Sequence, residues 1–432
     1  MIRLVSSLVD RSMALVSFIV ISMCMVVGSA LGAEAQTFAV LHNFTGAADG
    51  GYPAAGLVLD RAGNLYGTTY DGNGIGYGKI YKLSHPNGGW IFTPLYSFSG
   101  GTDGANPIDR VVFGPDGSLY GTTFAGGGAG CESGNSVGCG TVFNLRPPPT
   151  RPHSVFQPWN ETVLFRFMGG ADGGNPGNGD LIFDKAGAMY GTTGLGGLYG
   201  SCNGYACGTV FQLTRSNGSW QESVLYNFGQ GSDGQYPGGG LIFDNAGNLY
   251  GTTEQGGTAN DGTVYQLTPS GQGWTESVLH NFDSTNDGGW GPQSALIFDP
   301  SGNLYGVAAL GGSSSGGTAF ELSPSGGSWT FNVLYGFSEV GCCVGPTRTL
   351  VMDASGSLYG TTWGGGANGL GAVFKLTLSN GIWIYTSLHD FTGVTDGQNP
   401  ASNLILDGNG NLYGTAVGGG AKGYGVAFEI TP

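Results

Sequence analysis

The sequence has few charged residues, and basic ones are the scarcer kind. Charged residues make up 10% of the 432 residues, with 14 Lys and Arg against 29 Asp and Glu, for a formal net charge of −15. Such a chain repels the phosphate backbone of nucleic acids, so we expect no nucleic-acid partner. A negative net charge also keeps a protein soluble, so the acidic composition is explained without any binding partner.

Helical periodicity and long apolar runs are missing beyond the N terminus. No later segment repeats apolar residues at the helical period of about 3.6 or is apolar for the ~20 residues of a membrane span. The first residues differ, because two arginines precede an apolar stretch at residues 13–27, and a small-residue cleavage pattern follows at 33–35. We therefore expect a signal peptide at residues 1–35, a single domain at 36–432, and a mature protein that is extracellular or periplasmic, without a membrane span.

Glycine is the abundant residue, with 87 of 432 positions. No Gly-X-Y period is present, which excludes collagen, and 40% hydrophobic with 12% aromatic residues excludes a disordered linker. Many glycines between short apolar runs indicate many turns between short strands.

One motif, Leu-Tyr-Gly-Thr-Thr or a close variant, recurs seven times. Its tyrosines, spaced by 54, 70, 60, 55, 54 and 54 residues, are Tyr66, Tyr120, Tyr190, Tyr250, Tyr305, Tyr359 and Tyr413. Each repeat holds four apolar runs joined by turns, which the fourth copy places at residues 240–244, 248–253, 262–268 and 274–282. This predicts an all-β, seven-bladed β-propeller with strands A to D in each blade. An open seven-repeat solenoid is the alternative fold.

The seventh copy ends after its third strand, at residues 425–432. A segment that matches strand D stands instead at the N terminus, at residues 37–44. We predict that this N-terminal strand pairs with the C-terminal strand, completes the last blade and leaves no repeat edge open.

The repeated pattern resembles a known family. It is written F-x-G-x-x-D-G-x-x-P, then L-I-x-D-x-x-G-N-L-Y-G-T-T-x-x-G-G and G-x-V-F-x-L. This resembles the Gloeobacter/Verrucomicrobia (GloVer) tandem repeats of bacterial exported proteins, over essentially the whole mature chain. The resemblance implies export and no defined activity. The D-x-x-G-N-L-Y core is also similar to one hairpin of NHL and gluconolactonase-type propellers.

Six cysteines follow the predicted signal peptide. Two pairs, eight and five residues apart, fall at the same place in successive repeats and predict the disulfides Cys131–Cys139 and Cys202–Cys207. For the adjacent Cys342 and Cys343, a strained vicinal disulfide, two free thiols and links to other chains all stay open.

The loops divide into two sets, because antiparallel strands place the A–B and C–D turns at one end of a blade and the B–C and D–A loops at the other. The second set holds the glycine runs, the insertions and the six cysteines, which makes it the expected functional face. Its candidate binding residues are Trp290, Trp363, Tyr52, Tyr70, Phe124 and Tyr236. Aromatic side chains in such loops stack on sugars or grip a peptide, so we expect a carbohydrate or protein ligand. The alternative is that they only pack against neighbouring glycines.

Repeated polar residues admit structural interpretations. Asp49, Asp103, Asp172, Asp233, Asp287 and Asp396 recur in the D–A loops, either as Ca²⁺ ligands or as caps of their own turns. Because the Asp recurs in nearly every blade, we favour the turn and predict no cofactor, with Ca²⁺ as the alternative. Six further aspartates end strand A, before the A–B turn, and are predicted turn residues: Asp60, Asp184, Asp244, Asp299, Asp353 and Asp407. His42, His280 and His389 share a strand D position held elsewhere by Tyr or Phe, which predicts aromatic packing rather than a metal triad.

These observations favour a monomeric, non-catalytic binding or surface-interaction protein. A lactonase-type or lyase-type propeller enzyme would need a metal, or an acid and a base, in the central channel on residues that differ between blades. We identify no such set in the sequence. A structural envelope protein is the third hypothesis.

Overall fold

A computed structural model describes residues 36–432 except 72–75, 134–135, 149–158, 178, 203–205, 272, 286–287, 313–314, 338–344 and 347. Within these ranges every regular element is a β-strand, and none is a helix that could cross a membrane. The predicted signal peptide, Asp287, Cys342 and Cys343 lie outside the described residues.

Seven antiparallel sheets, each with four blade strands and one with an additional short strand, form the blades of a β-propeller, which confirms the predicted fold class. We number the blades 1 to 7 in chain order. Strands A are Val58–Leu59, Val112–Phe113, Ile182–Phe183, Ile242–Phe243, Ile297–Phe298, Val351–Met352 and Ile405–Leu406. Strands B are Leu65–Thr69, Leu119–Thr123, Met189–Thr193, Leu249–Gly256, Leu304–Ala308, Leu358–Thr362 and Leu412–Ala416.

The outer half of each blade is longer. Strands C are Lys79–Ser84, Thr141–Arg146, Thr209–Ser216, Thr263–Ser270, Thr318–Ser325, Ala372–Ser379 and Val426–Thr431. Strands D are Ile91–Ser97, Asn160–Arg166, Ser219–Asn227, Gly273–Asn281, Ser328–Gly336, Ile382–Asp390 and, for blade 7, Thr37–Asn43. Short extra strands lie in the loops: Glu132–Ser133 with Ser136–Val137, Gly234–Pro237 beside strand B of blade 4, and Gly289–Trp290 with Leu310–Gly311.

Blade 7 is closed by the N-terminal strand, as the sequence predicts. Its sheet runs from Thr37–Asn43 through Val426–Thr431 to the two inner strands. The backbone N–H of Phe44 donates to the carbonyl of Gly425 at 3.0 Å, and the side-chain oxygen of Asn43 accepts from the backbone of Ala421 at 2.9 Å. No blade is therefore left with three strands.

Strand A of blade 4 has two residues where the sequence predicts five. The segment before it packs against the neighbouring blade instead of pairing with strand B. A Cβ on Gly239 would lie 2.3 Å from the carbonyl oxygen of Ser294 in blade 5, so this approach requires glycine. At the C-terminal end of this strand, the N–H of Asp244 donates to the carbonyl of Asn248 at 3.0 Å, and this bond begins the A–B turn.

The hydrophobic core lies between the blades. At the interface of blades 4 and 5, Phe282 meets Phe320 edge to face at 5.3 Å, in a buried cluster that includes Tyr250 and Leu296. Seven such clusters, each bridging neighbouring blades, surround the channel. Burial of these aromatic and aliphatic side chains supplies the main favourable term in folding.

The aspartate that ends strand A organises the A–B turn, as predicted. In blade 4, one carboxylate oxygen of Asp244 accepts from the backbone of Ala246 at 2.8 Å and of Asn248 at 2.9 Å. The other oxygen accepts from the Asn248 amide at 2.7 Å and the Tyr250 hydroxyl at 3.1 Å. Burial opposes ionisation of Asp244, but these bonds outweigh it and lower its pKa.

Candidate functional site

The B–C and D–A loops lie at one end of the propeller and are bonded to each other. The N–H of Asn106, in a D–A loop, donates to the carbonyl of Tyr77 in the previous blade at 2.7 Å. The carbonyl of Asn106 accepts from Phe124, just after strand B of its own blade, at 3.0 Å. The same position is left-handed in six blades, at Tyr52 (φ 57°), Asn106 (57°), Asn175 (53°), Tyr236 (55°), Gly291 (67°) and Asn399 (54°). The B–C/D–A face is therefore built on a ring of locked loops.

Four of the candidate aromatic residues are half-buried in this ring. Tyr52 and Tyr70 come together, since the N–H of Tyr70 donates to the carbonyl of Tyr52 at 3.1 Å. The Tyr52 ring also meets Tyr424 edge to face at 5.7 Å. Phe124 and Tyr236 lie in other blades, and the Phe124 ring is 3.1 Å from where a Cβ on Gly177 would be. Phe124 thus packs against a neighbouring glycine, which was the alternative to a role in ligand binding.

Trp290 and Trp363 are the exposed members of the predicted set. Each keeps 37% of its surface exposed, on neighbouring blades 5 and 6. Trp290 lies in the short strand that pairs with Leu310–Gly311, and the N–H of Trp363 donates to the carbonyl of Gly345 at 3.2 Å. Both backbones are therefore fixed while both rings face solvent.

Further hydrophobic side chains on this face were missed in the sequence analysis. Among the described residues, eight of the thirteen exposed large hydrophobic side chains lie in B–C or D–A loops: Tyr77, Val137, Met168, Leu198, Tyr199, Trp290, Trp363 and Val394. The other five lie on strands C and D. Comparison of the loops between repeats would have marked these residues, because most other repeats hold a different residue type at their positions.

The two predicted disulfides are confirmed. Cys131–Cys139 has a Cα–Cα distance of 4.8 Å, and Cys202–Cys207 has 5.2 Å. Both lie in B–C insertions, and a Cβ on Gly169 in the following D–A loop would be 2.5 Å from the sulfur of Cys131. The first disulfide therefore packs against the loop that carries Met168.

The five repeated aspartates of the D–A loops that the structure describes cap their own turns. Asp396 accepts from the backbone of Thr392 at 2.9 Å and its hydroxyl at 2.5 Å, and bonds Nε2 of His389 at 3.0 Å. The three histidines at this strand position are stacked, His42 on Phe92, His280 on Phe331 and His389 on Phe38, which confirms aromatic packing. No group of three or more His, Cys, Asp or Glu within the described ranges is placed to hold a metal ion.

The central channel contains a cavity of about 330 Å³ lined by all seven blades. Its wall is the segment just before strand A, where the repeats cease to agree. Two residues before strand A stand Gly56, Arg110, Asp180, Gly240, Ala295, Thr349 and Asn403. One residue earlier stand Ala55, Asp109, Gly179, Gly239, Ser294, Arg348 and Ser402. The charged groups therefore come from blades 2, 3 and 6 only.

An ion pair spans blades 2 and 3 at this wall. Nη2 and Nε of Arg110 donate to one oxygen of Asp180 at 2.6 and 2.9 Å, and the Arg110 backbone donates to the other at 3.1 Å. From blade 7, the Asn403 amide reaches the same carboxylate at 3.4 Å. Asp180 is thus held by several donors.

A second arginine, Arg348 of blade 6, lies in the same cavity. Its Nε donates to the carbonyl of Ala401 at 2.8 Å. Burial lowers the pKa of Arg348, and the charges of Asp109 and Asp180 oppose this shift. Asp109 is 6% exposed and accepts from the hydroxyl of Thr122 at 2.9 Å.

The channel therefore holds a blade-specific polar set that the sequence analysis did not identify. Asp109 and Arg110 are adjacent, but Asp180, Arg348 and Asn403 each stand in another part of the sequence, and no short motif contains two carboxylates and two arginines. Aligning the seven repeats at strand A would have marked them as the polar residues that break the pattern.

Fold and site together define a seven-bladed β-propeller with an apolar loop face and a charged channel. The chain belongs to the Gloeobacter/Verrucomicrobia repeat family, whose model matches residues 30–202, 129–346 and 330–432. No functionally curated protein matches the sequence.

Solved structures share the fold at low sequence identity. A protein from Bacteroides uniformis assigned as a 6-phosphogluconolactonase is 15% identical, covering 84% of this chain and 89% of its own, with a TM-score of 0.50. An ulvan lyase of a polysaccharide lyase family, bound to a saccharide of glucuronic acid and sulfated rhamnose, is 11% identical, covering 91% and 95%, with a TM-score of 0.52. At these identities the similarity shows the fold alone.

Proposed function

We propose that the protein is a non-catalytic binding propeller, extracellular or periplasmic, whose B–C/D–A face contacts a protein partner. The exposed hydrophobic residues of this face carry the proposal. Soluble proteins seldom concentrate apolar side chains on one surface unless it binds something. Tyr, Trp and Met are the residues enriched in protein interfaces, where charged residues are depleted.

Where the structure describes it, the backbone of the face is held by hydrogen bonds and disulfides, which suits binding. Its loops are tied by interblade bonds such as that between Asn106 and Tyr77, and by the disulfides Cys131–Cys139 and Cys202–Cys207. A preformed surface loses little conformational entropy on association. The disulfides also support an oxidising compartment.

The channel supports binding rather than catalysis. Asp180 accepts from Arg110 and Asn403, and Asp109 accepts from Thr122. Asp180 in particular is paired with an arginine and held by an amide, which favours a structural role for this carboxylate over that of a general base.

The test uses purified mature protein in two arms, an array of exported proteins from the native host and an array of polysaccharides. The face variant is Leu198→Ser with Tyr199→Ser, and the matched control is Ile382→Ser with Ile384→Ser on an outer strand. We expect discrete protein hits whose affinity falls at least about tenfold in the face variant only.

Other outcomes would overturn the proposal. Polysaccharide hits lost on Trp290→Ala would make the ligand a carbohydrate. If the control variant loses as much affinity for the protein hits as the face variant, the interface would lie on the outer strands instead. No hit in either arm would remove the binding function.

A further inference from the structure

We propose that the channel cavity binds a small hydroxylated carboxylate, a sugar acid, whose carboxylate pairs with Arg348. This site is separate from the loop face and requires no partner there. The inference rests on the unpaired nitrogens of Arg348, on the polar groups beside it and on the size and charge of the cavity.

Arg348 presents an incompletely bonded guanidinium to the cavity. Its Nε is fixed by the carbonyl of Ala401 at 2.8 Å, while Nη1 and Nη2 have no hydrogen-bond partner among the described residues. The planar fork of an arginine matches the two oxygens of a carboxylate. Because buried guanidinium N–H groups that lack acceptors are costly, a bound carboxylate would stabilise the site by supplying acceptors to Nη1 and Nη2.

The opposite wall does not supply those acceptors. Asp180 is held by Arg110 through its side chain and backbone, with distances from 2.6 to 3.1 Å, and by Asn403 at 3.4 Å. Asp109 accepts from Thr122. Arg110 and Asp180 therefore satisfy each other across blades 2 and 3 and give no hydrogen-bond acceptor to Arg348, which lines the same cavity.

The charge of the cavity favours a monoanion. Its two arginines, Arg110 and Arg348, are balanced by two aspartates, Asp109 and Asp180. A carboxylate adds one negative charge, whereas a phosphate monoester adds nearly two beside both aspartates, and like charges at short range repel. The geometry of Arg348 suits either anion, but the neighbouring charges select the carboxylate.

The rest of the cavity wall fits the hydroxyl-bearing carbon skeleton of a sugar acid. The Gln293 amide and the Thr349 hydroxyl line the cavity on blades 5 and 6, and neither side chain has a hydrogen-bond partner in the part of the chain that the structure describes. Small residues such as Ala54 and Gly240 leave room, and Leu241 provides an apolar surface. The volume of about 330 Å³ is near the lower end of ligand pockets, which span roughly 300–1,000 Å³.

The test is calorimetric titration of the full mature protein with glucuronate, galacturonate and gluconate. Glucose tests whether the uncharged sugar binds without a carboxylate. Glucose 6-phosphate and inorganic phosphate test whether a phosphate group can replace the carboxylate. We expect at least one sugar acid to bind. Arg348→Lys, which keeps the charge but loses the fork, should weaken it at least about tenfold, and the exposed control Arg61→Gln should leave it unchanged.

A second variant keeps the test decisive if Arg348→Lys fails to fold. Gln293→Ala with Thr349→Val removes only the predicted hydroxyl contacts and should weaken the sugar acid but not acetate. Absence of binding by all three sugar acids, binding unaffected by both variants, or tighter binding of the phosphates would overturn the proposal. Protein hits on the array are expected to survive Arg348→Lys, so failure here is distinguishable from failure of the loop face.

Discussion

Phe38 of the N-terminal strand stacks on His389 of blade 6, with ring centroids 3.7 Å apart and planes 8° from parallel. The same two strand D positions meet at other interfaces, as Phe92 on His42 at 4.6 Å and Phe331 on His280 at 4.0 Å. The closing strand therefore makes the interblade contact that strand D makes elsewhere, although it joins blade 7 from the opposite end of the chain.

Removal of this strand should destroy the closure. We compare a chain that begins at Gln36 with one that begins at Phe44. The shorter chain leaves the edge of Val426–Thr431 unpaired, and open edges pair with other chains. We expect the longer chain to be a soluble monomer by light scattering and the shorter chain to aggregate. A monomeric shorter chain with unchanged melting would show that the N-terminal strand is dispensable.

Protonation should stabilise three blade interfaces. One strand D position holds an aromatic ring at four of the seven interfaces. At the other three interfaces the same position holds Glu161, Glu222 and Glu276, which face the D–A loops. Burial, and then the charge of Asp103, Asp172 or Asp233 respectively, raises the pKa of each glutamate to about 7. Because these values lie above the ordinary 4.5, the folded state binds more protons, and stability should fall as pH rises from about 4.5 through 7.

The pH dependence is measured as the melting temperature between pH 5 and pH 8. Replacing all three glutamates with glutamine should flatten the profile and stabilise the protein at pH 8, by about 1 kcal/mol per site after allowance for solvent screening. Glu254→Gln, near the end of strand B of blade 4, is the matched control and should leave the profile unchanged. The prediction is contradicted if the melting temperature of the wild-type protein falls no more between pH 5.5 and pH 8 than that of the triple variant.

The tryptophans should separate into two classes. Trp274 starts strand D of blade 4, is half-buried and meets Tyr190 of blade 3 edge to face at 6.5 Å. We expect Trp274→Ala to cost about 2–3 kcal/mol, at the low end for a large aromatic because the side chain is not fully buried. Trp290→Ala and Trp363→Ala should change the free energy of unfolding by no more than about 0.5 kcal/mol but weaken ligand binding. Equal destabilisation by all three variants would assign the exposed pair to the core.

The disulfides should contribute measurable stability. Replacing Cys131 and Cys139 together with alanine, which avoids a buried hydroxyl, should cost about 2–3 kcal/mol in the chain-entropy model. The same replacement of Cys202 and Cys207 provides an independent comparison in the next blade. Peptide mapping of the oxidised parent should recover both bridges, and four free thiols would refute the pairing.

The repeat made most of the fold predictable. Strand order, closure by residues 37–44 and both disulfides follow from the spacing of Leu-Tyr-Gly-Thr-Thr and from the position of the cysteines within the repeat. The length of strand A was not predictable from its apolar pattern. The pattern describes burial, whereas strand A is two residues long in every blade, whether the position of Gly239 holds glycine, alanine, serine, aspartate or arginine.

The loop face was predictable only in outline. The sequence placed Trp290 and Trp363 in the correct loops, but their exposure depends on how neighbouring loops cover them. Phe124 is equally aromatic and equally outside the repeat, yet it packs against the backbone of Gly177 and is half-buried. Neighbours from the next blade, distant in sequence, make that difference.

By itself the sequence determined a closed ring of seven blades, because a repeated pattern specifies a repeated local structure and the N-terminal strand supplies what the last repeat lacks. Only the tertiary structure decided the channel. Arg110 and Asp180 are 70 residues apart, and Asn403 lies 223 residues beyond Asp180, yet the three side chains share hydrogen bonds. Closing the ring brings the same position of every repeat to one axis, so residues that are isolated in the chain become a single site.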